Sequence, residues 1–187
     1  YLNIWTPTLD PAAKLPVMFW IHGGAYNHGY SYEMEFDGES FCKRSVILVT
    51  VPYRLAALGF FAHPELSARD AVNRSGNYAV LDVIAALKWV RENISGFGGD
   101  PENVTVFGQS AGGGMTQAIC TSPAARGLFK GAVIHSAGDM AATLGKPLTL
   151  EEAQEAGVQM CRHLGLALQQ LEEMDGGKGN SLLLDAA

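Results

Sequence analysis

Apolar residues along this chain fall into short runs separated by polar stretches that carry glycine and proline. Five runs have the length and composition of β-strands, at residues 1–5, 17–21, 46–51, 104–107 and 132–135. The first alternates apolar and polar side chains, which is typical of a strand with one exposed face. The runs at 17–21 and 46–51 are continuously apolar, which favours strands that are covered on both faces.

Two stretches predict helices. Between residues 78 and 93 the apolar side chains recur at helical spacing and give the helix one core face, formed by Val80, Val83, Ile84, Leu87 and Val90. A capping box from Thr149 to Glu152 predicts a second helix that runs to about Leu164, where Gly165 ends it.

The remaining stretches are predicted as connections. Residues 27–40 are expected to form a loop with a short helix, residues 55–74 a surface segment, and residues 175–180 a turn. Strands that alternate with helices in this order indicate an α/β fold with a largely parallel sheet. The expected organisation is one domain over residues 1–187, and ligand sites in such sheets lie at the carboxyl ends of the strands.

Composition and charge limit the classes of partner and of protein that this chain fits. With 187 residues and 48% apolar content, the chain can bury one real core. Its net charge of −6 argues against nucleic acid or an anionic membrane surface as partner. No apolar run reaches the length of a transmembrane helix, and no cofactor or metal motif is present.

The three cysteines, Cys42, Cys120 and Cys161, lie far apart without metal-ligand spacing. They are expected to be free thiols buried as small apolar groups, although a single disulfide stays open. The chain opens on Tyr1 inside a strand pattern, so we expect upstream sequence to be missing. The compartment stays open, with the cytoplasm favoured over secretion, and so does the oligomeric state.

The main chemical signal is the run Gly108-Gln109-Ser110-Ala111-Gly112, which lies between a strand and a helix over about residues 104–120. Strand, tight turn and helix in this order are typical of a nucleophile elbow, where a serine hydroxyl projects above the sheet. The backbone N–H of Ala111 can then stabilise an oxyanion. A glycine-rich turn with an incidental serine is the plainer interpretation of the same five residues.

The chain resembles a family, the type-B carboxylesterases, which form the cholinesterase-like branch of the α/β-hydrolases. The resemblance extends from residue 1 to about 138, and the helical segment 149–187 matches only weakly. The matching blocks are Tyr1-Leu-Asn-Ile-Trp-Thr-Pro7, Pro16 to Ala25, Val51-Pro-Tyr-Arg54, Leu58-Gly-Phe-Phe61, Gly76-Asn-Tyr78, Leu81-Asp82, Trp89 to Ile94, Phe97 to Thr105 and Phe107 to Gly113.

The resemblance implies an α/β-hydrolase fold, with helices on both faces of a mostly parallel sheet that is incomplete at both ends. It implies that Ser110 forms an acyl-enzyme with a small ester. The N–H groups of Gly24, Ala25 and Ala111 would form the oxyanion hole. Three further residues would support the site by hydrogen bonding: Gln109, where the family commonly has Glu, His22 in the oxyanion turn, and Ser136.

The same resemblance places the catalytic acid and histidine well downstream of the serine, where this chain has no matching motif. Each of its five histidines has another interpretation. His22 and His135 are assigned to structural roles beside the site. His28 and His63 are expected on solvated loops, and His163 is expected inside a helix. We therefore expect the N-terminal part of a serine esterase that is inactive by itself.

Two other classes of protein remain. One is a catalytically silent adhesion or binding module on the same fold, and the intact serine turn argues against it. The other is a non-functional truncated product, in which the motifs survive without a stable protein. An unfinished sheet would leave an unpaired edge and uncovered apolar faces, which promote aggregation.

Overall fold

The computed structural model describes residues 1–137 and 147–174. Two compact units form, one from Tyr1–Tyr53 with Val80–Thr143 and the other from Arg54–Ala79 with Leu144–Ala187. The single domain expected over residues 1–187 stays a prediction. The turn expected at 175–180 lies outside the described residues.

The first unit is built on a sheet. In the described part of the chain its strands are β1 (Asn3–Trp5), β2 (Leu15–Ile21), β3 (Ile47–Val51), β4 (Gly99–Gln109) and β5 (Gly131–His135). Their order in the sheet is β1-β3-β2-β4-β5. Only the pairing of β1 with β3 is antiparallel among these strands, so the expected largely parallel sheet is confirmed.

The buried runs form the middle of this sheet. Every residue of β3 is buried, and β2 buries Val17, Phe19 and Ile21 completely. Each of these β2 side chains contributes about 1.5–3 kcal/mol by leaving water. Ile21 is in register with Val51 of β3 and with Gly108 of β4. The three central strands therefore end side by side, and the loops that follow them meet at one edge.

The described helices are α1 (Glu39–Cys42), α2 (Ala56–Phe60), α3 (Pro64–Arg69), α4 (Tyr78–Asn93), α5 (Ala111–Thr121), α6 (Leu150–Leu164) and α7 (Leu168–Glu172). Short 3-10 helices cover Pro11–Ala13, Met34–Phe36, Ile94–Phe97 and Pro123–Ala125. Across residues 1–137 and 147–174, no helix is both long and apolar enough to cross a membrane.

Helix α4 agrees with its periodicity. It spans the predicted residues 78–93 and buries Val83, Ile84, Leu87 and Val90 to within 4% of full burial, while Val80 is half-buried. Helix α1 and the 3-10 turn at Met34–Phe36 likewise match the loop and short helix expected within residues 27–40.

In the second unit, the prediction of a surface segment at residues 55–74 is wrong. This segment forms helices α2 and α3 and buries several polar side chains. His63, which we expected to be solvated, is 7% exposed and caps α3, where its Nδ1 accepts the Glu65 N–H at 3.3 Å. Ser67 and Ser75 are buried beside it, with their hydroxyl oxygens 2.8 Å apart.

Helix α6 begins as the capping box predicts. Thr149 Oγ1 accepts the Glu152 N–H at 3.2 Å, and Glu152 Oε2 accepts the Thr149 N–H at 2.7 Å. Gly165 ends the helix with a φ of 66°, which suits glycine. On its inner side Cys161 packs with Leu171 and Phe61.

The cysteines follow the expectation in part. All three are free thiols. Cys161 is buried and Cys42 half-buried, but Cys120 is exposed near the end of α5, so burial was wrong for that residue. Cys120 lies on the solvent side of α5, whereas its neighbour Ile119 is buried.

Candidate active site

The turn that carries Ser110 joins β4 to α5. Ser110 has φ 55° and ψ −123°, a conformation that costs a non-glycine residue about 1–3 kcal/mol. Its N–H donates to the His135 carbonyl at 2.9 Å, and its carbonyl accepts the Gly114 N–H at 3.0 Å. The hydroxyl makes no capping hydrogen bond to α5. The backbone is thus fixed at both ends while the side-chain oxygen stays uncommitted to the helix.

Close packing explains the glycines that flank the serine. A Cβ on Gly108 would meet the Gly112 carbonyl and would lie 2.9 Å from the Ile21 oxygen. A Cβ on Gly112 would meet the Ile21 carbonyl and would lie 2.6 Å from the His22 oxygen. Because these neighbours are backbone atoms, they cannot turn aside, and the strand-turn-helix can close only without side chains at these positions.

The loop after β2 lies against the serine turn. A Cβ on Gly23 would be 3.3 Å from the Ser110 Cβ and 2.8 Å from the Gln109 carbonyl oxygen. The next three residues, Gly24, Ala25 and Tyr26, have φ of 106°, 52° and 63°. Two of these are not glycine, so the loop holds a strained backbone next to Ser110.

Hydrogen bonds orient the peptide groups of this loop. The Gly24 carbonyl accepts the N–H groups of Asn27 and His28 at 3.0 and 3.1 Å. The Gly23 carbonyl accepts His22 Nδ1 at 2.8 Å. In a trans peptide the N–H points opposite to the carbonyl, so the N–H groups of Gly24 and Ala25 point away from these bonds. In residues 1–137 and 147–174 neither N–H donates to an acceptor.

His22 is the most enclosed titratable side chain of the loop, at 1% exposure. Burial lowers its pKa, which the bond to Gly23 and the charge of Glu33 partly oppose. Its ring stacks on Tyr53 with centroids 4.5 Å apart and planes 17° from parallel. Tyr53 Oη donates to the His22 carbonyl at 2.9 Å, and burial followed by the nearby Tyr26 raises the pKa of Tyr53.

The sequence predicts no role for Tyr53 beyond its place in the block Val51-Pro-Tyr-Arg54, which matches the family. A positional signal existed, because Tyr53 follows β3 just as His22 follows β2, and neighbouring parallel strands end at the same edge. The hydroxyl of a tyrosine at such an edge is placed to reach a carbonyl of the adjacent loop.

The other predicted residues lie on the same edge of the sheet. Ala111 is the first residue of α5 and is 5% exposed. Gln109 ends β4 in register with His135 of β5 and is exposed. Ser136 follows β5, is exposed and has φ 48°. The structure thus places Gly23 close to Ser110, and among the described residues the His135 carbonyl, next to Ser136, links the end of β5 to Ser110.

In the described part of its own unit, no catalytic base lies on the Ser110 hydroxyl. There, among the described residues, no histidine or carboxylate side chain hydrogen-bonds to the Ser110 hydroxyl. His28 is exposed on its loop as predicted, and the His135 side chain is exposed at the end of β5. In the other unit His163 is exposed within α6, in agreement with its predicted helical position.

In the described ranges, neither a cluster of metal ligands nor the cavity along β1 and α4 adds to the site. The described ranges hold no group of three or more His, Cys, Asp or Glu side chains that could bind a metal ion. A cavity of about 840 Å³ lies along β1 and α4, lined among others by Ile4, Asp82 and Trp89. It contains none of the residues described around Ser110.

The comparison that decides the family covers most of the chain. The model of the carboxylesterase family matches residues 1–175. The chain belongs to the carboxylesterase family. Sequence relatives agree with this membership. The chain is 41% identical over 179 residues to the fumonisin B1 esterase of Sphingopyxis macrogoltabida, covering 95% of this chain and 32% of that protein.

Another carboxylesterase relative is the para-nitrobenzyl esterase of Bacillus subtilis, 42% identical over 184 residues, which are 98% of this chain and 35% of that protein. A solved carboxylesterase of Geobacillus stearothermophilus superposes with a TM-score of 0.86 at 36% identity, over 99% of this chain and 40% of that one. The predicted α/β-hydrolase fold is therefore confirmed. The chain spans 32% to 40% of the length of these proteins.

Proposed function

We propose that this chain carries the nucleophile and the oxyanion-binding part of a serine carboxylic-ester hydrolase. Ser110 attacks the carbonyl carbon of a small ester, the alcohol leaves with a proton, and water later releases the acid from the acyl-enzyme. Membership of the carboxylesterase family supports ester hydrolysis as the reaction of the whole protein.

One observation carries the assignment of Ser110. Its hydroxyl is free of any capping bond although the residue stands at the N-cap of α5, and its backbone is held at φ 55°. A serine is costly in that conformation, where glycine would be free of strain. The cost is understandable if the hydroxyl itself is needed, which makes Ser110 a nucleophile rather than an incidental turn residue.

Three N–H groups are proposed as the oxyanion hole: those of Gly24, Ala25 and Ala111. The first two are directed away from bonded carbonyls and have no acceptor among the described residues. The third starts α5, where the helix dipole favours negative charge. Oriented donors of this kind stabilise the tetrahedral oxyanion more than the ground-state carbonyl.

We further propose that the catalytic acid and histidine lie outside these 187 residues and that the chain alone is inactive. The support is the lack of a described histidine on the Ser110 hydroxyl in its unit, together with the third of the relatives' length that the chain spans. Without a base, a serine hydroxyl is a poor nucleophile at neutral pH.

The test is hydrolysis of p-nitrophenyl acetate by the 187-residue chain and by the reading frame extended past Ala187, each beside Ser110→Ala. Ser95→Ala is the matched control, because Ser95 is exposed in the 3-10 helix at Ile94–Phe97. We expect no hydrolysis by the chain above the Ser110→Ala background. The extended protein should hydrolyse the ester, lose this activity in Ser110→Ala and keep it in Ser95→Ala.

Two outcomes would contradict parts of this proposal. Serine-dependent hydrolysis by the 187 residues would mean that a base lies within them, and His135 and His163 would be replaced next. An extended protein without serine-dependent activity would favour a silent binding module. Failure of both forms to fold would favour a non-functional product.

A further inference from the structure

We propose that Tyr53 is a positioning residue for the oxyanion donors: it holds His22 so that His22 in turn fixes the direction of the Gly24 N–H. This inference rests on the proposed function of that N–H. It assigns to Tyr53 a role that acts through two hydrogen bonds and never through contact with the substrate.

The first step is the contact between Tyr53 and His22. Tyr53 lies two residues beyond Val51 at the end of β3, and His22 lies one residue beyond Ile21 at the end of the adjacent β2. The tyrosine is 6% exposed and its ring lies nearly parallel to the imidazole, 17° apart at 4.5 Å. Stacking of this kind restricts rotation of the imidazole about its side-chain bonds.

The Tyr53 hydroxyl holds the backbone carbonyl of His22. This carbonyl accepts the hydroxyl at 2.9 Å, and on another side it lies close to the start of α5, because a Cβ on Gly112 would be 2.6 Å from it. The hydroxyl therefore fixes one backbone group between β3 and the helix that follows Ser110. Removing the hydroxyl would leave this buried carbonyl without its donor.

The tautomer of His22 follows from its hydrogen bond to the Gly23 carbonyl. Nδ1 lies 2.8 Å from the Gly23 carbonyl oxygen, which can only accept, so Nδ1 must carry the proton. Gly29 packs against this bond, since a Cβ there would lie 2.8 Å from Nδ1 and 3.0 Å from the Gly23 oxygen. The imidazole can donate only if the His22 backbone, which Tyr53 holds through its carbonyl, keeps the ring within reach of the Gly23 oxygen.

The direction of the Gly24 N–H follows from the planarity of the peptide group. With its carbonyl held by His22, the peptide between Gly23 and Gly24 must point the Gly24 N–H to the opposite side. Both residues are glycines, so no side chain resists rotation of this peptide. The bond from His22 therefore restrains the direction of this donor, and Tyr53 keeps that bond in place.

The experiment compares Tyr53→Phe with Tyr78→Phe in the ¹⁵N-labelled 187-residue chain. Phenylalanine at position 53 keeps the stacked ring and removes only the hydroxyl. Tyr78 is a matched control, because it also loses only a hydroxyl while its ring stays beneath Arg54, whose guanidinium lies 5.1 Å from the ring centroid. The readouts are the Gly24 amide resonance and the ¹⁵N resonances of the His22 ring, which report which nitrogen is protonated.

In the unsubstituted chain we expect His22 to be protonated on Nδ1. Tyr53→Phe should move the Gly24 amide and give His22 a population protonated on Nε2, whereas Tyr78→Phe should change neither. In the form of the protein that hydrolyses p-nitrophenyl acetate, Tyr53→Phe should lower kcat about fivefold with KM unchanged, as for one lost hydrogen bond. A merely structural role would not change the tautomer or separate kcat from KM.

Two results would overturn the positioning role. One is a Gly24 amide and a His22 tautomer that are the same in Tyr53→Phe and in the unsubstituted chain. The other is an altered Gly24 amide with unchanged kcat. Failure of the proposed function is read separately, as absence of serine-dependent hydrolysis before any substitution at Tyr53.

Discussion

Two α-helices in the described ranges begin directly after a hydroxyl residue, and the two hydroxyls are held in opposite ways. Thr149 precedes α6 with an extended backbone, φ −68° and ψ 163°, and its hydroxyl caps the helix in a reciprocal pair with Glu152. Ser110 precedes α5 with φ 55° and ψ −123°, and its hydroxyl caps nothing. The same kind of side chain stabilises one helix and leaves the other without a cap.

The difference shows how a fold keeps a hydroxyl available. An extended N-cap residue places its oxygen over the N–H groups of the first turn, where hydrogen bonding is favourable. The backbone of Ser110 turns the oxygen away, and surrounding backbone contacts hold that unfavourable conformation. Local chemistry thus determines the start of α6, whereas packing from other elements determines the start of α5.

The packing at α5 can be broken with one methyl group. Gly112→Ala should destabilise the chain by about 3 kcal/mol, because the new Cβ meets the backbone carbonyl of Ile21. Urea unfolding followed by circular dichroism measures the change. Gly96→Ala is the control, since a Cβ there meets nothing within 4 Å, and it should leave stability within about 0.5 kcal/mol. Equal effects of the two substitutions would contradict the role of packing.

The two hydroxyls can be compared directly by removing each. Thr149→Ala should cost about 1 kcal/mol because α6 loses its cap. Ser110→Ala should change stability by less than about 0.5 kcal/mol, since no capping bond is lost. Both variants are measured by the same urea unfolding. A larger loss in Ser110→Ala would mean that its hydroxyl has a structural partner.

Replacement by glycine should change the stability of the chain in opposite directions at Ser110 and Thr149, because only Ser110 has a strained backbone. Ser110→Gly should stabilise the chain by about 1 kcal/mol, because glycine adopts φ 55° without strain and this gain exceeds the added freedom of the unfolded chain. Thr149→Gly should destabilise it, as the cap is lost at a residue that has no strain to relieve. Thermal unfolding separates the two, and a lower Tm for Ser110→Gly would contradict the strain at Ser110.

The smallest expected change in stability is the one that pH causes through the carboxylate of Glu152. The backbone N–H of Thr149, followed by its hydroxyl, lowers the pKa of Glu152 below its ordinary value of 4.5. Because the folded pKa is the lower one, the carboxylate contributes stability above pH 4.5, and this contribution is lost as the pH falls through the folded pKa. Glu152→Gln should remove that part of the acid dependence. Identical acid unfolding curves would show that the capping carboxylate is not linked to folding.

What the sequence predicted well is what depends on neighbouring residues. The bounds of α4 follow from apolar spacing, and the start and end of α6 follow from Thr149 and Gly165, since each signal acts within a few residues. The strands β2 and β3 were identified by their continuous apolar runs. These features need no knowledge of distant contacts.

What it predicted poorly depends on distant contacts. Helices α2 and α3 are short, and α3 is capped by His63, a residue without a strong capping preference, whose backbone N–H is in turn held by Ser75. Around Ser110 the sequence predicted the approach of the glycine loop but not Tyr53. The hydrogen bond from Tyr53 to His22 joins residues 31 positions apart, so it appears only when the two strands are paired.

The hydrogen bond between the Ser110 N–H and the His135 carbonyl also bears on how the protein is synthesised. Because β5 follows α5 in the chain, the serine turn lacks this partner until the ribosome has released residue 135. A nascent chain that ends before β5 has the glycine-rich motif but not the strand that helps to hold it. The turn around Ser110 is therefore completed late, after the helix that follows it has already been translated.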